Sequence, residues 1–124
     1  AYWLERNTRA GSRRNIVAHY DLGNDFFALF LDPTMSYSCG VSENGARTLK
    51  ESQIEKIDRA CRKLELQPSD HLPEIGSGWG ALAVHAAARY GCRVTTTTIS
   101  DEQHHLATAR VRDAGLADRV TVLK

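Results

Sequence analysis

The spacing of hydrophobic positions along the chain predicts helix first and then an alternation of strand and helix. Between residues 48 and 64, Ile54, Ile57, Cys61 and Leu64 recur at three- and four-residue steps, which predicts a helix with one buried stripe. Thr48 and Glu51 open it as a capping box, each able to bond the other's backbone N–H. Pro68-Ser69-Asp70 then turns the chain. Beyond it the pattern predicts a strand near 71–75, a helix over 80–90 closed by Gly91, and a strand near 92–98. A helix over 101–114 closed by Gly115 and a strand near 119–123 follow. Strand, helix, strand, helix, strand is the first half of a doubly wound α/β sheet.

Upstream, Asn24 is read as the cap of a short helix over 25–31, with Phe26, Phe27, Phe30 and Leu31 on a large apolar face. Asp32-Pro33-Thr34 ends it, and residues 40–47 form a loop. Pro73 runs against the pattern, because proline cannot donate to a ladder and usually sits at edges or strand starts. Either the strand starts after it or the position is locally weak. In the second case Pro73→Leu is expected to raise stability by about 1–3 kcal/mol.

The stretch from His71 to Ala83, His-Leu-Pro-Glu-Ile-Gly-Ser-Gly-Trp-Gly-Ala-Leu-Ala, carries the candidate chemistry. Gly76, Gly78 and Gly80 permit a sharp turn and let a ligand lie against bare main chain. The helix that follows, over 81–90, directs its unpaired N–H groups at that ligand. Glu74, at the strand's end, is placed to accept from a cationic amine, and with Trp79 it tilts the reading toward S-adenosylmethionine. Gly76-x-Gly78-x-x-Ala81 also satisfies the dinucleotide fingerprint, with Asp101 about 20 residues further on, and that alternative stays open here. In a doubly wound sheet the ligand lies outside the carboxyl ends of the strands, at residues 74–80 and 98–100. The second strand ends in Thr-Thr-Ile-Ser rather than in an acid for ribose hydroxyls, and Asp101 suits the helix dipole.

With 124 residues, 42% hydrophobic and 25% charged, the chain is one small globular domain or a piece of a larger one. A net charge of +1 gives no argument for nucleic acid. No apolar run approaches the roughly 20 residues of a membrane span. Cys39, Cys61 and Cys92 are odd in number and widely spaced, which fits reduced thiols in a cytoplasmic protein rather than a disulfide framework or zinc site. The chain begins without methionine and stops directly after the run Val120-Thr-Val-Leu123, so it is read as a fragment. His19-Tyr20-Asp21 fits a structural role better than a metal or acid/base site, and His85, His104 and His105 show no ligand spacing.

The segment Asn15-Ile-Val-Ala-His-Tyr-Asp-Leu-Gly-Asn-Asp-Phe-Phe-Ala-Leu-Phe-Leu-Asp-Pro-Thr-Met-Ser-Tyr-Ser-Cys39 resembles the cyclopropane-fatty-acyl-phospholipid synthases and the related mycolic acid cyclopropane synthases. The likeness continues through Gln53-Ile-Glu-Lys-Ile-Asp, Glu74-Ile-Gly-Ser-Gly-Trp-Gly and Thr98-Ile-Ser-Asp-Glu-Gln103, nearly the whole chain. It implies an S-adenosylmethionine-dependent methyltransferase with a Rossmann-like sheet and helices laid over the cofactor. Residues 1–14, with Arg6, Arg9, Arg13 and Arg14, would be a basic arm, 15–69 a helical cofactor-covering segment, and 70–124 a partial cofactor-binding domain.

By position, the resemblance implies that Tyr37 and Ser38 contact the cofactor's methionine portion. Glu74, Gly76, Gly78 and Gly80 would surround methionine and adenosine. Thr98, Ser100 and Gln103 would meet the ribose, although Ser100 and Gln103 equally form a second capping box. Cys39 would help hold a bicarbonate ion, the base of the implied mechanism; a free cysteine is otherwise most often a small hydrophobe. In that mechanism a cis double bond of a phospholipid acyl chain attacks the sulfonium methyl, and loss of a proton closes the ring. A relative could instead install a branch. The remaining bicarbonate ligands would lie beyond Lys124, so turnover by this chain alone is not expected. Peripheral contact with a membrane is expected for such a substrate, with the four arginines able to favour an anionic surface by about 1 kcal/mol each.

Overall fold

The computed structural model describes Thr8, residues 23–43, Gly45 and residues 48–124. The basic arm and His19-Tyr20-Asp21 lie outside the described residues, Thr8 excepted. Among the described residues seven elements follow one another: α1 (Asn24–Ala28), α2 (Leu49–Lys63), β1 (His71–Ile75), α3 (Ala81–Tyr90), β2 (Arg93–Thr97), α4 (Asp101–Asp113) and β3 (Val120–Leu123). The strands form a parallel sheet in the order β1-β2-β3, with Leu72 beside Val94 and Val94 beside Val120. The alternation read from the pattern is therefore present, and each turn is made as its residues dictate. Gly91 closes α3 in the left-handed region at φ 71°, and the Thr48–Glu51 capping box opens α2 with both of its bonds formed.

Alternate side chains of the sheet pack on the helices. Leu72, Val94, Val120 and Val122 join one cluster with Ile57 and Cys61 of α2, Ala83, Ala86 and Ala87 of α3, and Val111 of α4. The other face of the sheet is open, and Ile75 is 95% exposed. A second, smaller cluster gathers Phe27, Met35 and Trp79, with Leu31 and Leu106 against it.

Three expectations need correction. Asn24 does not cap α1: the cap position is Gly23, and no side chain bonds there. The Asn24 side chain instead donates to Glu102 of α4 and accepts the indole N–H of Trp79. The apolar face of that helix is also mostly outside, since only Phe27 is buried while Phe26 and Phe30 are about half exposed. The stripe on α2 is rotated: Ile57 and Cys61 are buried, but Ile54 and Leu64 are exposed, and Ser52, Gln53 and Asp58 take their places.

Pro73 lies inside β1, opposite Thr95. The bonds framing that ladder, Arg93 N to Asp70 O at 2.9 Å and Gly76 N to Thr97 O at 3.0 Å, show that even-numbered residues of β1 bond to β2. The nitrogen of Pro73 therefore faces the opposite edge. Leucine at this position would restore no donor to the described sheet, and the expected gain in stability is withdrawn.

Candidate functional site

At the carboxyl ends of β1 and β2 the chain builds a cavity of about 710 Å³. Its floor is the turn from β1 to α3. Gly76 and Ser77 both donate to Thr97 O, at 3.0 and 2.7 Å, which ties the turn to the tip of β2. Gly76 and Gly78 have φ of 89° and 50°, and a Cβ on either would meet no protein atom within 4 Å. The glycines are thus required by backbone conformation, and the space before them is open to a ligand. Gly80 differs. Its φ is 87°, and a Cβ there would come to 3.2 Å from Ala107 Cβ, so it serves the approach of α4 to the start of α3. No side chain caps α3, which leaves its first N–H groups without a protein side-chain partner at the turn.

Glu74 gives the floor its charge. It stands at the end of β1, and its Oε2 is buried with no hydrogen-bond partner. Burial pushes its carboxyl above the usual glutamate range, and the neighbouring Thr96 hydroxyl offsets this only in part. Thr98 and Gln103 form one wall, where the Thr98 hydroxyl donates to Gln103 Oε1 at 2.8 Å. Ser100 caps α4 by accepting from Gln103 N at 3.3 Å, but the Gln103 side chain turns to Thr98 rather than back to the cap. The second capping box is therefore half made.

The opposite wall comes from residues 35–38. Arg110 of α4 holds this loop down by donating to the carbonyls of Pro33 and Thr34 at 2.9 and 2.8 Å, and it reaches Trp79 O at 3.2 Å. Asp32 shapes the loop from within, accepting from Thr34 N and Oγ1 at 2.9 and 2.8 Å. Met35 adopts φ 58°, a left-handed conformation unusual for its type, while 6% exposed against Trp79 and Phe27. Gln53 Nε2 of α2 donates to Ser38 O at 2.6 Å, and Lys56 Nζ donates to Ser38 Oγ at 2.7 Å.

Seven of the ten candidate residues line this one cavity: Tyr37, Ser38, Glu74, Gly76, Gly78, Thr98 and Gln103. Gly80, Ser100 and Cys39 do not. Gly80 and Ser100 stand behind the wall, and Cys39 is exposed with its thiol on Gly40 O at 3.3 Å. Three residues that the sequence reading passed over belong to the site. Lys56 lines the cavity, Met35 packs its wall, and Arg110 ties that wall down. Of these only Lys56 left a local signal, sharing a helical face with Gln53 three residues before it.

Other polar clusters are structural. Asp58 is 7% exposed and accepts from His85 at 3.0 Å, Tyr90 at 2.9 Å and Arg62 at 2.7 Å, with Arg89 at 3.3 Å. Burial pushes its carboxyl up, yet these donors outweigh it and hold the group below the usual range. Cys61 and Cys92 are fully buried, and burial lifts Cys61 to about 11, which leaves it inert. Among the described residues no cluster of His, Cys, Asp or Glu could hold a metal ion, and no helix is long and apolar enough to cross a membrane.

A parallel sheet with an acid at the tip of its first strand, a glycine turn and an α-helix behind it defines a class. The mycolic acid cyclopropane synthase CmaA1, solved in complex with SAH and CTAB, superposes with a TM-score of 0.83 at 42% identity, over 90% of this chain and 39% of its own. The fold is that of the Rossmann-like S-adenosylmethionine-dependent methyltransferases. Residues 7–124 match the family described as mycolic acid cyclopropane synthetase, and the chain belongs to that family. It is 43% identical over 123 residues to tuberculostearic acid methyltransferase UfaA1 and 51% identical over 89 residues to cyclopropane mycolic acid synthase 1, both of Mycobacterium tuberculosis. Those matches take in 94% and 72% of this chain. The chain spans 29% and 31% of the length of these two relatives.

Proposed function

We propose that the chain is the cofactor-binding part of a methyltransferase that adds a methylene bridge across a cis double bond in phospholipid acyl chains, using S-adenosylmethionine. The carrying observation is Glu74 Oε2, buried without a donor at the tip of β1 and beside two glycines that leave open space. A buried carboxylate oxygen is costly unless a donor reaches it, and the cofactor's ammonium is such a donor. The residues present therefore fit the cofactor: an acid for its amine, bare backbone where it would lie, and Thr98 and Gln103 as polar groups along one wall.

When bound, the cofactor supplies an electrophilic methyl group on a sulfonium. The chain's own residues orient it and keep water away. Trp79 and Met35 form a dry wall behind the loop 35–38. Phe26, Phe30 and Tyr37 stand half exposed, their rings stacked edge-on at 5.6 and 6.2 Å. They suit an acyl chain and would shield a carbocation from water. A phospholipid substrate brings the enzyme to a membrane peripherally, from the cytoplasmic side. Ring closure rather than branching is the reading adopted, on the 51% identity over 89 residues to cyclopropane mycolic acid synthase 1, against 43% over 123 residues to UfaA1.

The described residues do not by themselves fit a bicarbonate ion. The exposed Cys39 thiol, bonded to a neighbouring carbonyl, is no anion site alone. Calorimetric titration with S-adenosylhomocysteine and with NAD tests the proposal. Binding of the first and none of the second is expected; binding of NAD alone would overturn it. Turnover by this chain alone is not expected, so the substrate is tested with the full-length enzyme of which the chain is read as a fragment: phospholipid carrying a cis-unsaturated chain should gain the mass of one methylene and take up no hydrogen on mild hydrogenation.

A further inference from the structure

S-adenosylmethionine carries two positive charges, on sulfur and on the amino group, and one negative charge, on its carboxylate. A cation in its pocket is repelled everywhere except beside that carboxylate. The cavity nevertheless contains lysines. Lys124 lines it but pairs with Asp101. Lys56, reaching in from α2, has no such partner among the described residues: its ammonium donates to Ser38 Oγ and Gln53 Oε1, both neutral. Asp32, the carboxylate that bears on it, is already occupied by the N–H and hydroxyl of Thr34. An ammonium has three donors, so one remains for a ligand. Burial also lowers the Lys56 pKa, as expected for a cation short of a counter-charge.

We infer that Lys56 binds the carboxylate of the cofactor's amino-acid end, across the cavity from Glu74, which takes the ammonium. This rests on the proposal that the cavity binds S-adenosylmethionine. The two ends of the zwitterion are then read by two opposite charges, one on the tip of β1 and one on α2. Binding would also draw α2 and the loop 35–38 toward the turn, because Lys56 and Gln53 already grip Ser38. Charge-assisted bonds of this kind are about twice as strong as neutral ones.

The test compares S-adenosylhomocysteine with its decarboxylated analogue, which keeps the amine and adenosine and lacks only the carboxylate. Calorimetry on the protein should show a preference for the carboxylate form on the order of tenfold. Lys56→Met should weaken the carboxylate form more than the analogue and so remove that preference, and Lys56→Arg should retain it. Equal affinity of the unmodified protein for the two ligands would overturn the inference, even if Lys56→Met failed to fold. So would equal weakening of both ligands by Lys56→Met, which would mean that Lys56 only supports the loop. If neither ligand bound the unmodified protein, the cofactor reading itself would fall, and the inference with it.

Discussion

Two buried carboxylates sit about one helix apart in sequence and behave in opposite ways. Asp58, in the seam between α2 and α3, is met by His85, Tyr90, Arg62 and Arg89, and its pKa is lowered. Glu74, at the tip of β1, has one oxygen that nothing in the described protein reaches, and its pKa is raised. Desolvation acts on both; the difference lies in the donors. A carboxylate fully met by its own protein welds elements together. A carboxylate left unmet keeps its bonding capacity for something that arrives later. The contrast separates structure from site with no reference to any relative.

Breaking the satisfied acid should cost the most stability. Asp58→Ala leaves one imidazole, one phenol and two guanidinium groups without their acceptor, and should lower stability by about 2–3 kcal/mol in thermal or urea unfolding. Its affinity for S-adenosylhomocysteine should stay unchanged. Glu74→Gln should do the reverse. Cofactor affinity is expected to fall about tenfold or more, while the melting temperature holds or rises, because a buried unmet charge is gone. A fall in melting temperature with unchanged affinity would erase the distinction between the two acids.

Glycines extend the same comparison. Gly80→Ala combines a left-handed φ with a contact at 3.2 Å, and should cost about 1–3 kcal/mol of stability, with little direct effect on ligand contacts. Gly76→Ala meets no protein atom, so strain alone should cost about 1–2 kcal/mol, and the larger loss should be in ligand affinity, read by calorimetry.

Acid titration sharpens the contrast further, because the two signs differ. Asp58 is lowered in the fold, so its stabilisation is present above the ordinary value of 3.8 and is lost as pH falls through its folded pKa below that. Glu74 is raised above its ordinary 4.5, so the folded protein takes up its proton first; stability from this group appears as pH falls through the raised pKa and is lost as pH rises through it. Cofactor affinity should therefore weaken on mild acidification, before the fold does. Glu74→Gln should flatten that dependence, measured as Kd from pH 7 down to about 4.5. The smallest effect belongs to Pro73→Leu, within about 0.5 kcal/mol in unfolding, because the position faces away from the ladder.

The strand and helix order was legible in the sequence because each turn carries a local signal. Gly91, Gly115 and the Thr48–Glu51 box each act within a few residues of themselves. The glycine turn and Glu74 were legible for the same reason. What escaped were residues whose partners are remote. Asn24 looks like a helix cap, but it bonds across 78 residues to Glu102 and across 55 to Trp79. Asp58 and Gln53 look solvated on a helical wheel, yet donors and acceptors from α3 and the loop 35–38 cover them. Arg110 reads as an exposed helix cation, and its role exists only once the Pro33 and Thr34 carbonyls arrive.

Pro73 has a consequence for what can be added beside β1. The side of β1 that faces away from β2 is where a doubly wound sheet takes on further strands. A ring nitrogen in the middle of that side has no hydrogen to offer, so an incoming strand would find its ladder broken at the third of five positions. One imino acid thus fixes a gap in any ladder built on that side, at no cost to the pairing that holds β1 to β2.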